Sequence, residues 1–303
     1  INFETYWSDS VKKSLKADLI LILVTIVWGA GFPVTKFALE TITPMYIIAL
    51  RFFIASLTLA VIFHKKIKEA SKDIIKPSLI LSLLLFSTYV FQTIGIQYTT
   101  ASKCGFYIGL SVLFVPFFCR FYLKTELQLR IIISTLMAAL GLFLLSYTGD
   151  GFSFNKGDFL SVLSSICCAW HLIFTSIFVA EHDGALLSVI QMAFVCLLGF
   201  AAAFIFESMP SNISMLSFGS LLFMAVFCTA LAFLAQTLSL KYTSATHVAI
   251  IFTMEPLFGA IAARFLLNEV LSFRGMVGGF LILLAMLLSE IDVKFFKKDE
   301  AVS

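Results

Sequence analysis

Charged side chains are scarce in this chain of 303 residues. They make up 13% of it, whereas 60% of the residues are hydrophobic and the mean hydropathy is +1.01. Soluble globular domains carry about 25% charged residues, so this composition excludes that class. The net charge of +3 is too small and too scattered for a nucleic-acid surface, and we expect no nucleic-acid partner. The composition indicates a polytopic membrane protein that lies in the lipid bilayer.

Motifs for metal, disulfide or nucleotide chemistry are also lacking. The six cysteines lie in apolar runs with no C-x-x-C pair and no histidine at ligand spacing, so we expect neither a disulfide framework nor a metal site. The absence of a G-x-x-x-x-G-K-[ST] loop excludes an ATP-driven pump on this chain alone. The Glu181-His182-Asp183 cluster has no partner motif, which leaves an integral-membrane enzyme or a scaffold as unfavoured alternatives. No cofactor is expected.

Long apolar runs predict the fold. A helix needs about 20 apolar residues to cross a hydrocarbon core about 30 Å thick. Ten such runs are present, at 17–37, 45–63, 77–97, 104–123, 130–147, 158–179, 186–206, 216–240, 246–267 and 275–291. Backbone groups in lipid must be satisfied within the segment, and the runs do not alternate as the strands of a membrane barrel do. The sequence therefore predicts an all-α integral membrane protein with ten transmembrane helices.

The basic residues predict the orientation of these helices. With the N-terminus inside, fifteen of the 21 Lys and Arg residues fall on the inner side and five on the outer side, and the connection 64–76 carries most of the asymmetry. By the positive-inside rule both termini are cytoplasmic. We expect a bacterial inner-membrane protein with a cytoplasmic segment at 1–16 and a cytoplasmic tail at 292–303. The segment 1–16 is either an interfacial helix or a disordered tail.

An internal repeat divides the chain. An offset of 144 residues superposes 86–102 on 230–246, with Gln92 on Gln236, and takes Lys103 to His247. An offset of 140 pairs Lys16 with Lys156 and Asp18 with Asp158. We expect a first repeat at 17–147, an inter-repeat loop at 148–157 and a second repeat at 158–291. Because five helices is an odd number, the second copy is inverted relative to the first, which is a plan that many secondary transporters use.

Four stretches resemble a known family, the EamA branch of the drug/metabolite transporter superfamily. Trp28-Gly29-Ala30-Gly31-Phe32 is similar to its W-G-x-x-F signature, and Arg51-Phe52 to its R-F pair. The stretches 101–116 and 255–269 resemble its fourth and ninth helices, and the resemblance extends over about 17–291. It implies a ten-helix carrier with a central cavity that moves amino acids, nucleotide-linked metabolites or other small polar solutes.

Two charged residues lie inside predicted helices, where an unpaired charge is costly. Arg51 is either a ligand for a carboxylate or phosphate group or a structural arginine bonded to backbone carbonyls. Glu255 is the candidate for coupling to protons. The alternative is that backbone groups freed by Pro256 satisfy its carboxylate.

Polar and aromatic side chains in the middle of helices complete the candidate site. Tyr and Trp concentrate at membrane interfaces, so copies in mid-helix need a buried partner for their O–H or N–H groups. The candidate substrate-binding residues are Trp28, Arg51, Tyr89, Gln92, Phe106, Tyr107, Ser111, Trp170, His171, Gln236 and Thr253. Trp28 and Trp170 are approximate equivalents in the two repeats. Gln92 and Gln236 also suit packing between helices.

The combined pattern predicts a secondary transporter of small polar metabolites that works by alternating access, with amino acids or related compounds as the favoured substrates. A nucleotide-type or S-adenosyl-type metabolite exchanger is the alternative. Protons are the candidate coupling ion, and the assembly is a monomer or a homodimer. The G-x-x-x-G pairs Gly105/Gly109 and Gly275/Gly279 predict close helix contacts. Kinks are predicted at Pro33, Pro116 and Pro256.

Overall fold

A computed structural model describes residues 3–99, 101–146, 154–266 and 272–290, and the side chains of 3–13, 101, 102, 146, 263, 266 and 290 are not part of that description. The helices in this part are α1 (Phe3–Leu39), α2 (Pro44–Ile62), α3 (His64–Lys68), α4 (Ile75–Tyr98), α5 (Ala101–Gly109), α6 (Ser111–Phe118), α7 (Leu129–Ser146), α8 (Lys156–Glu181), α9 (Gly184–Phe206), α10 (Met215–Ala225), α11 (Ala232–Ser239), α12 (Ala245–Phe252), α13 (Met254–Leu266) and α14 (Phe273–Glu290). Short π-helical segments follow α6 (Cys119–Leu123) and α10 (Val226–Leu231), and a 3-10 turn (Lys72–Ile74) precedes α4.

These elements make ten crossings. Eight are long and apolar enough to span a membrane, and α7 and α14 are two shorter apolar helices. The ten predicted segments agree with them to within a few residues, and the predicted all-α fold is confirmed. The backbone of α1 is helical from Phe3 and continues into the first crossing without a break. The tail at 292–303 and the inter-repeat loop up to residue 153 lie outside the described residues.

Two crossings are broken at matched positions. The fourth is interrupted at Leu110 between α5 and α6, and the ninth at Thr253 between α12 and α13. The offset of 144 takes Gly109 to Thr253, so the two breaks differ by one residue in the repeat. Pro256 contributes to the second break because it lacks an N–H group and its ring clashes with the carbonyl four residues earlier.

The two halves of the chain are interleaved. The most extensive contacts pair α7 with α14, α4 with α8, α2 with α9 and α1 with α13, and each pair joins the first half to the second. The same contacts recur when each crossing is replaced by its counterpart in the other half. The contact of the third crossing (α4) with α8 is matched by that of the eighth (α10 and α11) with α1. An inverted repeat would produce this symmetry of contacts, and it stays a prediction.

Glycines allow these helix pairs to approach closely. A Cβ atom on Gly29 of α1 would lie 2.6 Å from the backbone nitrogen of Gly259 in α13. A Cβ on Gly141 of α7 would lie 2.7 Å from the carbonyl oxygen of Gly278, and one on Gly157 of α8 would lie 2.6 Å from that of Gly95. Backbone atoms cannot yield as a flexible side chain can, so each crossing requires glycine.

Carboxylates fasten α2 to α9 at both ends. Glu207, after the end of α9, accepts hydrogen bonds from the amides of Met45 (3.0 Å) and Tyr46 (3.2 Å) at the start of α2. Asp183 caps the start of α9 and pairs with Lys66 (2.6 Å), which follows α2. Partial burial raises the pKa of Asp183, but the hydrogen bond from Lys66 and those from the α9 amides outweigh burial and hold that pKa below its ordinary value.

Candidate functional site

A central cavity lies where the crossings of the two halves meet. The space between its lining residues, with the open mouth included, is about 680 Å³. Its lining residues are Trp28, Gly31, Phe32, Thr35, Arg51, Leu85, Thr88, Tyr89, Gln92, Ile108, Cys168, His171, Leu172, Cys228, Phe233, Gln236, Phe252 and Glu255.

Seven of the twelve predicted site residues line this cavity, and the structure therefore brings them together. They are Trp28, Arg51, Tyr89, Gln92, His171, Gln236 and Glu255. These residues come from α1, α2, α4, α8, α11 and α13, so no single helix carries the site.

The other five predicted residues lie elsewhere, and their contacts explain why. The Trp170 ring stacks on Phe118 at 4.5 Å between centroids, and Phe106 packs on Tyr107 at 5.0 Å. The Thr253 hydroxyl donates to the carbonyl of Ile250 at 2.6 Å. Ser111 begins α6 and is buried outside the cavity lining.

Arg51 is buried and extensively bonded. Its Nε donates to Oγ1 of Thr229, and its Nη2 donates to the Tyr89 hydroxyl (3.0 Å) and to the carbonyl of Cys228 (3.2 Å). The guanidinium carbon also lies 4.6 Å from the centre of the Tyr89 ring. All of these acceptors are neutral. Within the described residues no carboxylate lies at ion-pair distance from Arg51, so its charge is oriented but not cancelled.

Aromatic rings form one wall of the cavity. Trp28 donates its indole N–H to the carbonyl of Cys228 (2.7 Å), which fixes the plane of its ring. The rings of Phe233 and Phe252 pack against Trp28 at 5.1 Å and 4.9 Å between centroids. The Cys228 carbonyl lies in the π-helical segment Val226–Leu231 and accepts from both Trp28 and Arg51.

Glu255 is the acidic residue of the cavity lining. No hydrogen bond or ion pair from the described part of the chain reaches its carboxylate, so backbone groups freed by Pro256 do not satisfy it there. Gly29 lets the backbone of α13 at Glu255 pack closely on α1, because a Cβ at position 29 would lie 2.7 Å from the backbone carbonyl oxygen of Glu255. The cavity thus holds a bonded cation on α2 and an unbonded acid on α13.

His171 is also bonded within the lining. Its Nε2 lies 3.1 Å from Oε1 of Gln191, and its ring packs edge-on against Phe233 at 5.9 Å. Gln191 is the repeat counterpart of Arg51 at the offset of 140. The matched positions therefore carry a cation in one half and a neutral amide in the other, and Gln191 lies behind His171, outside the cavity lining.

Most of the lining residues form pairs, in which a repeat offset relates a residue of the first half to one of the second. The offset of 144 pairs Tyr89 with Phe233, Gln92 with Gln236 and Ile108 with Phe252, and the offset of 140 pairs Trp28 with Cys168, Gly31 with His171 and Phe32 with Leu172. Both members of every pair line the cavity. The counterpart of Trp28 in the cavity is accordingly Cys168 and not Trp170.

Several cavity residues were missed in the sequence. Phe233, Phe252 and Cys168 follow from the repeat offsets, applied to Tyr89, Ile108 and Trp28. Thr229, which binds Arg51, carried no such signal, because it belongs to an unremarkable run in the eighth crossing.

Comparisons with known proteins cover nearly the whole chain. Residues 15–147 and 155–290 each match the sequence profile of the EamA-like transporter family. A protein of Archaeoglobus fulgidus, named as an uncharacterized transporter, is 31% identical over 283 residues, which are 93% of this chain and 88% of the relative. A further Archaeoglobus fulgidus transporter is 27% identical over 285 residues, or 87% of this chain and 93% of the relative.

Two more similarities bear on the site and the fold. A Chlamydia muridarum protein named as an S-adenosylmethionine/S-adenosylhomocysteine transporter is 26% identical over 135 residues, which are 43% of this chain and 41% of that protein. One solved crystal structure superposes with a TM-score of 0.76 at 14% identity, covering 91% of this chain and 96% of the other. At that identity the superposition shows a shared fold.

Proposed function

Because the chain belongs to the EamA-like transporter family, within the drug/metabolite transporter superfamily, we propose that it carries small zwitterionic metabolites, amino acids foremost, through the central cavity. Transport itself follows from the family. The class of substrate is inferred from the residues of the cavity.

The pairing of Arg51 with Glu255 in one cavity is the observation that carries this proposal. An α-amino acid presents a carboxylate and an ammonium group on the same carbon. Nη1 of the oriented guanidinium, whose contact in the structure is the Met224 sulfur at 4.0 Å, can donate to the carboxylate. A carboxylate with no partner among the described residues can accept the ammonium or a proton. Each charge of the solute is then matched by a buried charge of opposite sign, which offsets the loss of its hydration.

The aromatic wall supports an amphipathic solute. Trp28, Phe233 and Phe252 place apolar ring faces beside the charged groups. A side chain attached to the zwitterion would pack on these rings, which favours larger apolar or aromatic amino acids over glycine or aspartate.

Alternating access is the transport mode that the fold supports. The paired breaks at Leu110 and Thr253 divide equivalent crossings, and the π-helical segment Val226–Leu231 lies beside the cavity. Breaks of this kind let half-helices move as units, and an inverted repeat supplies two related arrangements of one bundle. The halves would exchange conformations so that the cavity opens to one side at a time.

An S-adenosyl-type substrate is the second candidate, favoured by the partial similarity to the Chlamydia muridarum transporter. S-adenosyl compounds contain the same α-amino acid group and add an adenine ring that would stack on the aromatic wall. Phosphate-bearing nucleotides fit less well, because Arg51 is the one Lys or Arg in the cavity lining as described.

Uptake into proteoliposomes tests the proposal. Purified protein would be assayed with radiolabelled amino acids, with and without a pH gradient, and with unlabelled S-adenosylmethionine as competitor. We expect accumulation under the gradient that Glu255→Gln abolishes, while the exposed acid variant Glu40→Gln behaves as the unaltered protein. Arg51→Gln should abolish uptake under both conditions.

The outcomes separate the alternatives. Uptake that neither the gradient nor Glu255→Gln changes would indicate a facilitator or exchanger in which Glu255 has a structural role. Competition by S-adenosylmethionine stronger than by any amino acid would favour the second candidate. Folded protein that takes up no amino acid would contradict the first.

A further inference from the structure

A second group of ionisable side chains is buried away from the central cavity, between α1, α12 and α14. Nε2 of His247 lies 3.3 Å from Oδ1 of Asp18, and Nδ1 of His247 lies 3.4 Å from the hydroxyl oxygen of Ser289. The three residues are only 6%, 8% and 4% exposed, in the order Asp18, His247 and Ser289. Asp18 belongs to the first half of the chain and the other two to the second.

The hydrogen bonds of Ser289 constrain where protons lie in this group. The Ser289 hydroxyl donates to the carbonyl of Met286 at 2.7 Å, so its oxygen is left to accept from Nδ1–H of His247. With a proton on Nδ1, a neutral imidazole would turn the lone pair of Nε2 toward the Asp18 carboxylate, which is repulsive. One additional proton, on Nε2, makes the 3.3 Å contact between the imidazolium and the Asp18 carboxylate attractive.

The end of the bundle that holds this group also has a cavity of its own. A second cavity of about 770 Å³, including its open mouth, reaches the start of α12 and is lined there by Ser244, Ala245 and Thr246. Arg130 of α7 also lines this cavity and donates to the Ser289 carbonyl at 3.2 Å. The lining of this cavity thus ends at the residue before His247, and it is separate from the central cavity.

Other ionisable groups of the described residues lie near the site, among them Glu126 in the lining of the second cavity. The α1 helix presents Asp18, α7 presents Arg130, and the segment after α6 presents Cys119, which contacts Thr246. The α8 helix presents Ser176 at this level, and α14 presents Ser289. His171 of α8 and Glu255 of α13 line the central cavity instead.

The repeat places a matched pair of positions at the other end of the bundle, where the aspartate is kept and a lysine replaces the histidine. The offset of 140 takes Asp18 to Asp158, which accepts a hydrogen bond from the Thr99 hydroxyl at 2.6 Å. The offset of 144 takes His247 back to Lys103. Lysine stays charged through the physiological pH range, whereas histidine changes its charge within it.

We propose that Asp18, His247 and Ser289 form a proton-binding site, separate from the transport cavity, that holds α1 against α12 when it is occupied. The site joins the two halves, so opening this end of the bundle requires the Asp18–His247 pair to separate. The protonated pair is attractive and keeps this end closed. Loss of the proton as the pH rises leaves a buried carboxylate beside a neutral ring and favours separation. The effect of this proton-binding site on transport rests on the proposed function, whereas the site itself does not.

Hydrogen exchange of backbone amides tests the site without any substrate. The full chain in lipid nanodiscs would be compared at about pH 5.5 and about pH 8, with correction for intrinsic exchange rates. We expect amides in 14–20 and 245–252 to exchange about threefold more slowly at the lower pH. His247→Gln and Asp18→Asn should exchange rapidly at both values. His247→Lys, which installs the residue of the matched position, should exchange slowly at both.

A second histidine provides the matched control. His182 lies 3.9 Å from Asp73 in a connection between helices, and His182→Gln should keep the pH response of the unaltered chain. The absence of a pH response in the unaltered chain would overturn the proposal, and so would its persistence in His247→Gln or, if that variant does not fold, in Asp18→Asn. Because no substrate is involved, failure to transport amino acids would leave this result unaffected.

Discussion

Arg51 shows how a charge can be kept ready for a ligand inside a membrane protein. Its acceptors are a hydroxyl from α4, a hydroxyl from the π-helical segment and a backbone carbonyl, and none of them is charged. Hydrogen bonds of this kind fix the direction of the guanidinium without neutralising it. We therefore expect the groups around Arg51 to contribute to the affinity for an anionic group by orienting its guanidinium.

Thr229 gives the first prediction at this scale. The Thr229 hydroxyl accepts from Nε of Arg51 and donates to the carbonyl of Met224 (2.8 Å). Thr229→Val keeps the shape of the side chain but leaves Nε of Arg51, a buried charged donor, without its acceptor. A hydrogen bond to a charged group is worth about 1.5–3 kcal/mol. We expect KM for the transported solute to rise about tenfold, measured by uptake kinetics in proteoliposomes.

Thr237→Val is the matched control for this change. The Thr237 hydroxyl is also buried but has no hydrogen-bond partner among the described residues. Its removal should leave KM unchanged and the melting temperature equal or higher, because no bond is lost. Equal effects of the two variants on KM would contradict the assignment of Thr229 as a positioning residue.

Charge and repetition made part of the site predictable from the sequence. Arg51 and Glu255 stood out because charges are rare inside apolar segments, and both line the cavity. Residue type alone predicts Trp170 in the site, but its ring stacks on Phe118 and does not line the cavity. Side-chain direction depends on how helices are rotated against one another, and an apolar segment with this many phenylalanines gives little periodicity to fix that rotation.

At the scale of helices, glycine determines which pairs approach most closely. The predicted G-x-x-x-G pairs are not the closest backbone contacts: a Cβ on Gly105 would meet the Phe32 side chain at 3.6 Å, and one on Gly109 would meet Leu142 at 3.0 Å. The closest approaches are made by glycines whose partners lie in the other half, such as Gly141 with Gly278. Spacing within one helix could not reveal them, because both partners must be known.

Gly141→Ala is the prediction that follows for the α7–α14 pair. The added methyl group would lie 2.7 Å from the Gly278 carbonyl oxygen, so the helices must separate. Overpacking of this kind costs about 1–3 kcal/mol, and we expect a lower melting temperature in detergent. Gly219→Ala in α10 is the control, because nothing lies within 4 Å of its added methyl group. It should be neutral or stabilising by up to about 1 kcal/mol. A similar loss in both variants would contradict this account.

The prediction of ten crossings succeeded because hydropathy alone defines them, whereas their breaks needed more. Pro116 and Pro256 indicated kinks, and the structure places the breaks six residues before the first proline and three before the second, at Leu110 and Thr253. A proline disturbs the turn that precedes it, but the position of a break also depends on what packs around the freed carbonyls. That information lies in other helices.

At the scale of the whole molecule, the basic residues predict which end faces the cytoplasm. The connection 63–74, with Lys65, Lys66 and Lys68, should lie inside, and the connection between α9 and α10 outside. Single cysteines at Ser71 and Asn212, both exposed, test this with a membrane-impermeant thiol reagent. Asn212→Cys should be modified in intact cells, and Ser71→Cys only after the membrane is permeabilised. The chain without added cysteines gives the background from its six native ones. Modification of both positions from the same side would contradict the predicted topology.

The interleaving of the halves has a consequence for biosynthesis. Because the closest helix contacts all join one half to the other, the first five crossings enter the membrane before any of their main partners has been translated. Their glycine faces and Arg51 lack their partners from the second half until the ribosome has completed it. Assembly of this protein is therefore a late, post-insertion event. The interval before it is when the nascent chain is most exposed to membrane proteases and most in need of a chaperone that shields polar helix surfaces.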